Sequence, residues 1–186
     1  MSSLDAMLAQ YSKVSKGSSS SSANSGFDLK NYFTTYLPDG TNSIRKRVRI
    51  LSVEGESPFT EVMAHKAQID GQWKTLFCPK HENNERCAFC EAREALLASG
   101  KKTDKELAKS YGSRRVYVVK VIDRDDEDHG IKFWRFNHDY RNTGTLDKIM
   151  GIIQTVGHDI SDAETGRDLI ININRDQNGR PQIASI

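Results

Sequence analysis

All three cysteines of the chain lie in one stretch, CPKHENNERCAFC, residues 78–90, with one of its five histidines. So compact a cluster restricts the fold around it, because the thiols must share a metal, pair as disulfides or pack as small apolar groups. The cysteine count is odd, and the start MSSLDAMLAQYSKVSK lacks the basic, apolar and small-residue segments of a secretory signal. A reducing cytoplasm is therefore expected and a disulfide framework is not. Packing as plain core is disfavoured by the polarity of PKHENNER between the cysteines. Metal is the better account. Cys87-x2-Cys90 can hold one tetrahedral ion, and Cys78 with one histidine completes a Cys3His set. Such a set is closed to water, which predicts a structural ion, zinc, rather than a catalytic one.

Two histidines compete for the fourth position. His81 offers a compact Cys78-x2-His81 pair. His65 lies on a predicted hairpin, TEVMAHKAQIDGQWKTLFC, whose Asp70-Gly71 suits a two-residue type I′ turn. Pairing Ile69 with Gln72 puts His65 opposite Leu76 and Met63 opposite Cys78, so His65 and Cys78 share a face as diagonal neighbours. The turn pre-organises His65 and favours it on geometry.

Elsewhere the pattern is mainly β with helices, an α+β chain whose short strands imply a small, partly open barrel with insertions. NYFTTYLPDGTNSIRKRVRIL suggests a first hairpin about Pro38-Asp39-Gly40. RRVYVVKVI and IKFWRFN are two further strands, joined by the acidic DRDDEDHG, expected to be a solvated tip. LIININ and RPQIASI form a last hairpin around RDQNG. Helices are expected at AFCEAREALLASG, from a capping box at Thr103–Glu106, and at TLDKIMGIIQTVG with Thr145 as N-cap. Residues 17–26, GSSSSSANSG, are a Gly/Ser linker, and ahead of it Leu4, Met7, Leu8 and Tyr11 at helical spacing make residues 1–16 an amphipathic arm.

No apolar run approaches the ~20 residues of a membrane span, and a net charge of +2 does not by itself announce a nucleic-acid binder. The placement of the charges is more telling. Period-2 alternation puts Arg45, Arg47 and Arg49 on one face of a strand and Val48 and Ile50 on the other. Arg114, Arg115, Tyr117 and Lys120 follow on a second strand, and KFWRFNHDYR supplies Lys132, Trp134, Arg135, Tyr140 and Arg141. Tyr32, Tyr36, Trp73 and Tyr111 are further aromatic candidates. Cations interleaved with aromatics are what single-stranded nucleic acid requires, phosphates meeting the first and unpaired bases the second. Phe133 and Trp134 must point opposite ways, so at most one belongs to such a face.

The ordered set His65-x12-Cys78-x8-Cys87-x2-Cys90 resembles the zinc signature of the T-even-type bacteriophage single-stranded DNA-binding, helix-destabilising proteins. The order VYVVKVIDRD, acidic loop, IKFWRFN, LDKIMGII is similar to that family's, as are the arm, the spacer and SIRKRVRIL. The resemblance covers roughly residues 1–175. It implies an oligonucleotide/oligosaccharide-binding (OB) barrel spanning residues 27–186, with a zinc subdomain inserted at about 60–112, and His65 as the fourth ligand. It further implies a non-enzymatic protein that coats single-stranded DNA in phage replication, recombination and repair, within an infected bacterium. Self-association along the strand would run through the arm, where Lys13 and Lys16 are sparser than the family's basic motif, and the resemblance also implies replication and recombination proteins as partners. The family's acidic C-terminal tail has no counterpart up to Ile186. The readings from other classes are a zinc-stabilised RNA-binding regulator and a zinc-dependent nuclease, for which DRDDEDH is the one candidate centre.

Overall fold

The computed structural model describes residues 29–53 and 55–186, so the arm and the linker lie outside the described residues. Eight strands enter one sheet: β1 (Tyr32–Phe33), β2 (Ser43–Leu51), β3 (Thr60–Ile69), β4 (Gln72–Phe77), β5 (Arg114–Asp123), β6 (Ile131–Asn137), β7 (Leu169–Arg175) and β8 (Pro181–Ser185). Between β4 and β5 come three helices, α1 (Pro79–Asn83), α2 (Ala88–Ala98) and α3 (Lys102–Ser110), and α4 (Thr145–Val156) follows β6. The protein is a mixed α+β molecule.

β5 organises the sheet. One edge pairs with β6 from Val116 to Ile122; the other is divided, Arg114–Val118 pairing with β3 and Lys120–Asp123 with β2. From β2 the sheet continues to β7 and β8, while β1 lies beyond β6 and β4 pairs with β3 alone. The ladder does not close on itself. Alternation sorts the side chains: Val48, Ile50, Val119, Val121, Trp134, Ile171 and Ile173 are buried on the inner face. There α4 brings Ile149, backed by Ile152 and Ile153, and each such aliphatic stabilises by ~1.5–3 kcal/mol.

The turns explain most of the local structure. Asp70 and Gly71 have φ of 53° and 76°, the two positive values a type I′ turn demands, and the register has Ile69 opposite Gln72 and His65 opposite Leu76 as expected. The Cys78 amide donates to the Met63 carbonyl at 2.8 Å, continuing the ladder past β4. The C-terminal hairpin forms as β7–β8, its turn held by the Asp176 carboxylate, which accepts the Asn178 and Arg180 amides.

Three local expectations need correction. Pro38-Asp39-Gly40 does turn the chain, Thr41 N donating to Pro38 O at 3.1 Å, but its arms do not pair. β1 runs parallel to β6, with Tyr32 beside Phe133, and β2 takes β5 and β7 as neighbours. A turn signal reverses the chain without choosing partners; Val48 and Ile50 are covered better by the aliphatic β5 and β7 than by YFTTYL. The N-cap of α4 is Gly144, whose amide donates to the Asp147 carboxylate at 3.0 Å, and Thr145 is its first helical residue. Likewise α3 begins at Lys102, because the Thr103 hydroxyl bonds the Asp104 carboxylate rather than a free amide.

Candidate metal centre and nucleic-acid interface

His65, Cys78, Cys87 and Cys90 converge, their ligand atoms all within 4.8 Å of one another, and could hold a metal ion. β3 supplies His65, the end of the hairpin Cys78, and the first turn of α2 Cys87 and Cys90, with Cys87 as the N-cap of that helix. His65 Nε2 lies 3.4 Å from Cys87 Sγ and 3.6 Å from Cys90 Sγ, and Cys78 Sγ lies 3.5 Å from Cys90 Sγ. These are close to the edges of a tetrahedron around one ion: bonds of ~2.3 Å to sulfur and ~2.05 Å to nitrogen give edges of about 3.8 and 3.5 Å. His81 stays exposed and outside the set.

The surroundings prepare the ligands. His65 Nδ1 sits 3.0 Å from the Tyr111 carbonyl, which can only accept, so Nδ1 carries the proton and Nε2 keeps its lone pair for a metal. Burial lowers the His65 pKa, against the pull of that carbonyl, and keeps the imidazole neutral. Phe89 stacks on the ring at 5.1 Å. At Cys87 burial pushes the thiol up, but hydrogen bonds from the Cys90 backbone, the two other thiols and the Phe89 backbone outweigh it and the net shift is downward. Cys90 is pushed up to about 12, by burial first and then by its two cysteine neighbours. Cys87 is thus readier to ionise than Cys90.

The opposite face of the sheet is wet. Register places on it Arg45 and Arg47 of β2, Arg114 and Lys120 of β5, Phe133 and Arg135 of β6, and Trp73 and Phe77 of β4. Two depressions mark its middle. One, of about 320 Å³, has Leu51, Pro58, Val118, Lys120, Ile131 and Phe133 on its walls. The other, of about 210 Å³, is bounded by Lys66, Thr75, Arg114, Val116, Arg135 and Asn137. Arg45, Arg114, Lys120 and Arg135 are exposed and have no ion pair among the described residues.

The remaining residues expected on such a face are buried, engaged within the protein or peripheral to it. Trp134 is 1% exposed and packs edge-on against Phe33 and Phe136. Tyr117 is buried on the same inner face, its hydroxyl 3.3 Å from His138 Nδ1. Arg115 points opposite to Arg114 and pairs with Glu61 at 2.8 Å, a contact whose alignment falls short of a hydrogen bond. Arg49 has the expected orientation, yet its guanidinium donates to the Asp162 carbonyl at 2.6 Å and pins the loop before β7. Arg47 meets Asp125 at 3.7 Å, both about half exposed. The ring of Tyr111 is half-buried near Phe89 while its carbonyl holds His65. Tyr140 is 73% exposed beyond β6, edge-on to His138.

Phe133, Phe77 and Lys66, whose ammonium lies 5.4 Å over the Trp73 ring, are the members that sequence reasoning missed. A signal existed for Phe133, which shares its parity with Arg135. It was balanced by Lys132, which shares the parity of Trp134. Lys132 is buried against Asp123 and Asp126, so the acidic loop is more than a solvated tip: its carboxylates neutralise cations that would otherwise be stranded. Among the described residues no second group of three His, Cys, Asp or Glu donors converges. No protein-family model and no curated protein matches the sequence.

Proposed function

We propose that this chain is a non-enzymatic single-stranded DNA-binding protein, an OB-like, partly open barrel with a zinc subdomain inserted at about 60–112. The observation that carries the reading is the wet sheet face, where four cations without ion pairs, Arg45, Arg114, Lys120 and Arg135, interleave with exposed Trp73, Phe77 and Phe133. Unpaired cations suit phosphates, and exposed rings suit bases, each stack stabilising by ~1–3 kcal/mol. The stacking role expected for Trp134 passes to Phe133. Three thiols and one imidazole, with no carboxylate, favour zinc in the centre, closed and structural. A protein that prefers single strands to duplex shifts the equilibrium between them by its differential affinity, which is how it would hold unwound DNA open. The resemblance of its motifs supports a role in phage replication, recombination and repair.

The test is titration of the zinc-loaded protein with oligo-dT at two salt concentrations, with matched duplex and RNA beside it. Tight quenching by the single DNA strand, with a salt slope near −0.7 per phosphate contact, is expected. Binding that is indifferent to salt or to strandedness would overturn the reading, and a preference for RNA would move it to an RNA-binding role.

A further inference from the structure

A third depression, of about 230 Å³, lies against the candidate metal centre, reaching its ligand Cys90, and is otherwise walled by Lys80, His81, Arg93, Glu94, Gly112 and Ser113. Its charges are unbalanced. Lys80 is matched by Glu94 at 2.6 Å, but the side chains of Arg93 and His81 form no hydrogen bond or ion pair among the described residues. Arg93 reaches from α2 to the start of β5, where a Cβ placed on Gly112 would stand 3.9 Å from its Nε. The guanidinium fork therefore faces a concave space whose volume equals about eight waters at ~30 Å³ each, ample for a phosphate group. Guanidinium and phosphate match in both charge and bidentate geometry.

The position of this depression selects the kind of phosphate. Ser113 borders it, and the next residue, Arg114, borders the 210 Å³ depression of the sheet face. Consecutive Cα atoms are only ~3.8 Å apart, so the two concavities adjoin around the N-terminal end of β5. From there, Arg114 to Lys120 is six residue steps, ~20 Å of strand, along the wet face.

We infer that the depression beside Arg93 takes a backbone phosphate of the same single strand where it leaves the sheet face, so that the metal-bearing helices contact nucleic acid directly. The inference rests on the proposed function and adds an exit site to it. Arg93 is the phosphate-binding group, with the His81 ring as an additional donor.

The experiment compares wild type, Arg93→Ala and Arg135→Ala, all full-length, zinc-loaded and checked for one equivalent of metal, on oligo-dT of about 4 to 16 nucleotides. Arg93→Ala should match wild type on the shortest oligomers, which the sheet face alone accommodates. On the longest its salt slope should be shallower by ~0.7, one phosphate contact. Arg135→Ala should be weaker at every length. If Arg93→Ala equals wild type at all lengths while Arg135→Ala is weakened, the exit site is wrong and the proposed function stands; if wild type binds no oligomer, both fall. In a parallel arm, the Arg93 Nε–Hε resonance should move on adding long oligo-dT. Movement with inorganic phosphate but not with oligo-dT would identify a free-anion site and overturn the inference.

Discussion

Neighbouring residues of β6 should fail in opposite ways when truncated. Phe133 is 38% exposed on the wet face, with Tyr32 as its ring neighbour at 6.2 Å, whereas Trp134 is 1% exposed inside the core. For Phe133→Ala the lost burial, scaled from ~1.5–3 kcal/mol for a fully buried side chain, costs about 1–2 kcal/mol of stability. Removing its base stack costs ~1–3 kcal/mol of binding, which is about 5- to 150-fold in Kd. Trp134→Ala instead opens a cavity beneath Phe33 and Phe136 and should cost ~3–5 kcal/mol of stability, a large share of the ~5–15 kcal/mol typical of a domain. Both variants keep Trp73 as the fluorescent reporter, so urea midpoints and oligo-dT affinities can be measured on the same samples, at a temperature where each is folded. Phe133→Ala with wild-type affinity would refute the assignment of the face. So would folded Trp134→Ala if it bound more weakly than Phe133→Ala.

The two tryptophans also separate spectroscopically: Trp73 is 65% exposed, so Trp73→Phe should abolish most of the quenching by oligo-dT that the enclosed Trp134 cannot report. Cys87→Ser or Cys90→Ser should lose bound zinc in a metal assay while His81→Ala retains one equivalent; because structural zinc contributes ~10–16 kcal/mol to small zinc peptides at neutral pH, chelation should lower the midpoint of thermal unfolding by many degrees. Asp126, Asp139, Asp162 and Asp176 all have pKa values below the ordinary carboxylate range, lowered first by Lys132 and by the amides of Arg141, Thr165 and Arg180 respectively. Their stabilisation is complete above the unfolded-state value near 3.8 and is lost as pH falls through the lower folded-state values, so urea midpoints should drop below about pH 4 and Asp176→Asn should flatten that drop.

The metal set was legible because its constraints are local: a two-residue turn fixes register, register fixes which side chains share a face, and C-x2-C fixes the helix start. The sheet order was not, since the choice of β5 and β7 as neighbours of β2 depends on apolar area supplied from ~70 to ~130 residues away, which no turn residue encodes. The binding face fell between the two cases. Alternation told that Phe133 and Trp134, or Arg114 and Arg115, oppose each other, but the wet side is defined by what covers the other, namely α4 and its Ile149. Charge would ordinarily settle parity, because cations avoid the core. Here Lys132 and Arg115 are matched in charge on the inner side by Asp123 and Glu61, so charge pointed both ways.

The candidate metal centre and the proposed binding face meet on one strand, so a metal bound there would have a consequence for that face. The His65 ring joins the ligand set, while Ala64 and Lys66 on either side of it, together with His65 itself, line a depression of the outer face. β4, which carries Trp73 and Phe77, pairs with β3 alone, and a two-stranded hairpin is marginal on its own. What fixes the far end of that hairpin is the Cys78 junction, drawn against α2 by the convergence of the four ligands. The aliphatic core lies elsewhere, under β2, β5, β6 and β7, and shares no buried residue with the cysteine cluster. A metal there would act where the hydrophobic core does not reach: it would hold in register the strand pair that extends the cationic face with aromatic rings and, under the proposed function, would contribute to binding without touching the nucleic acid.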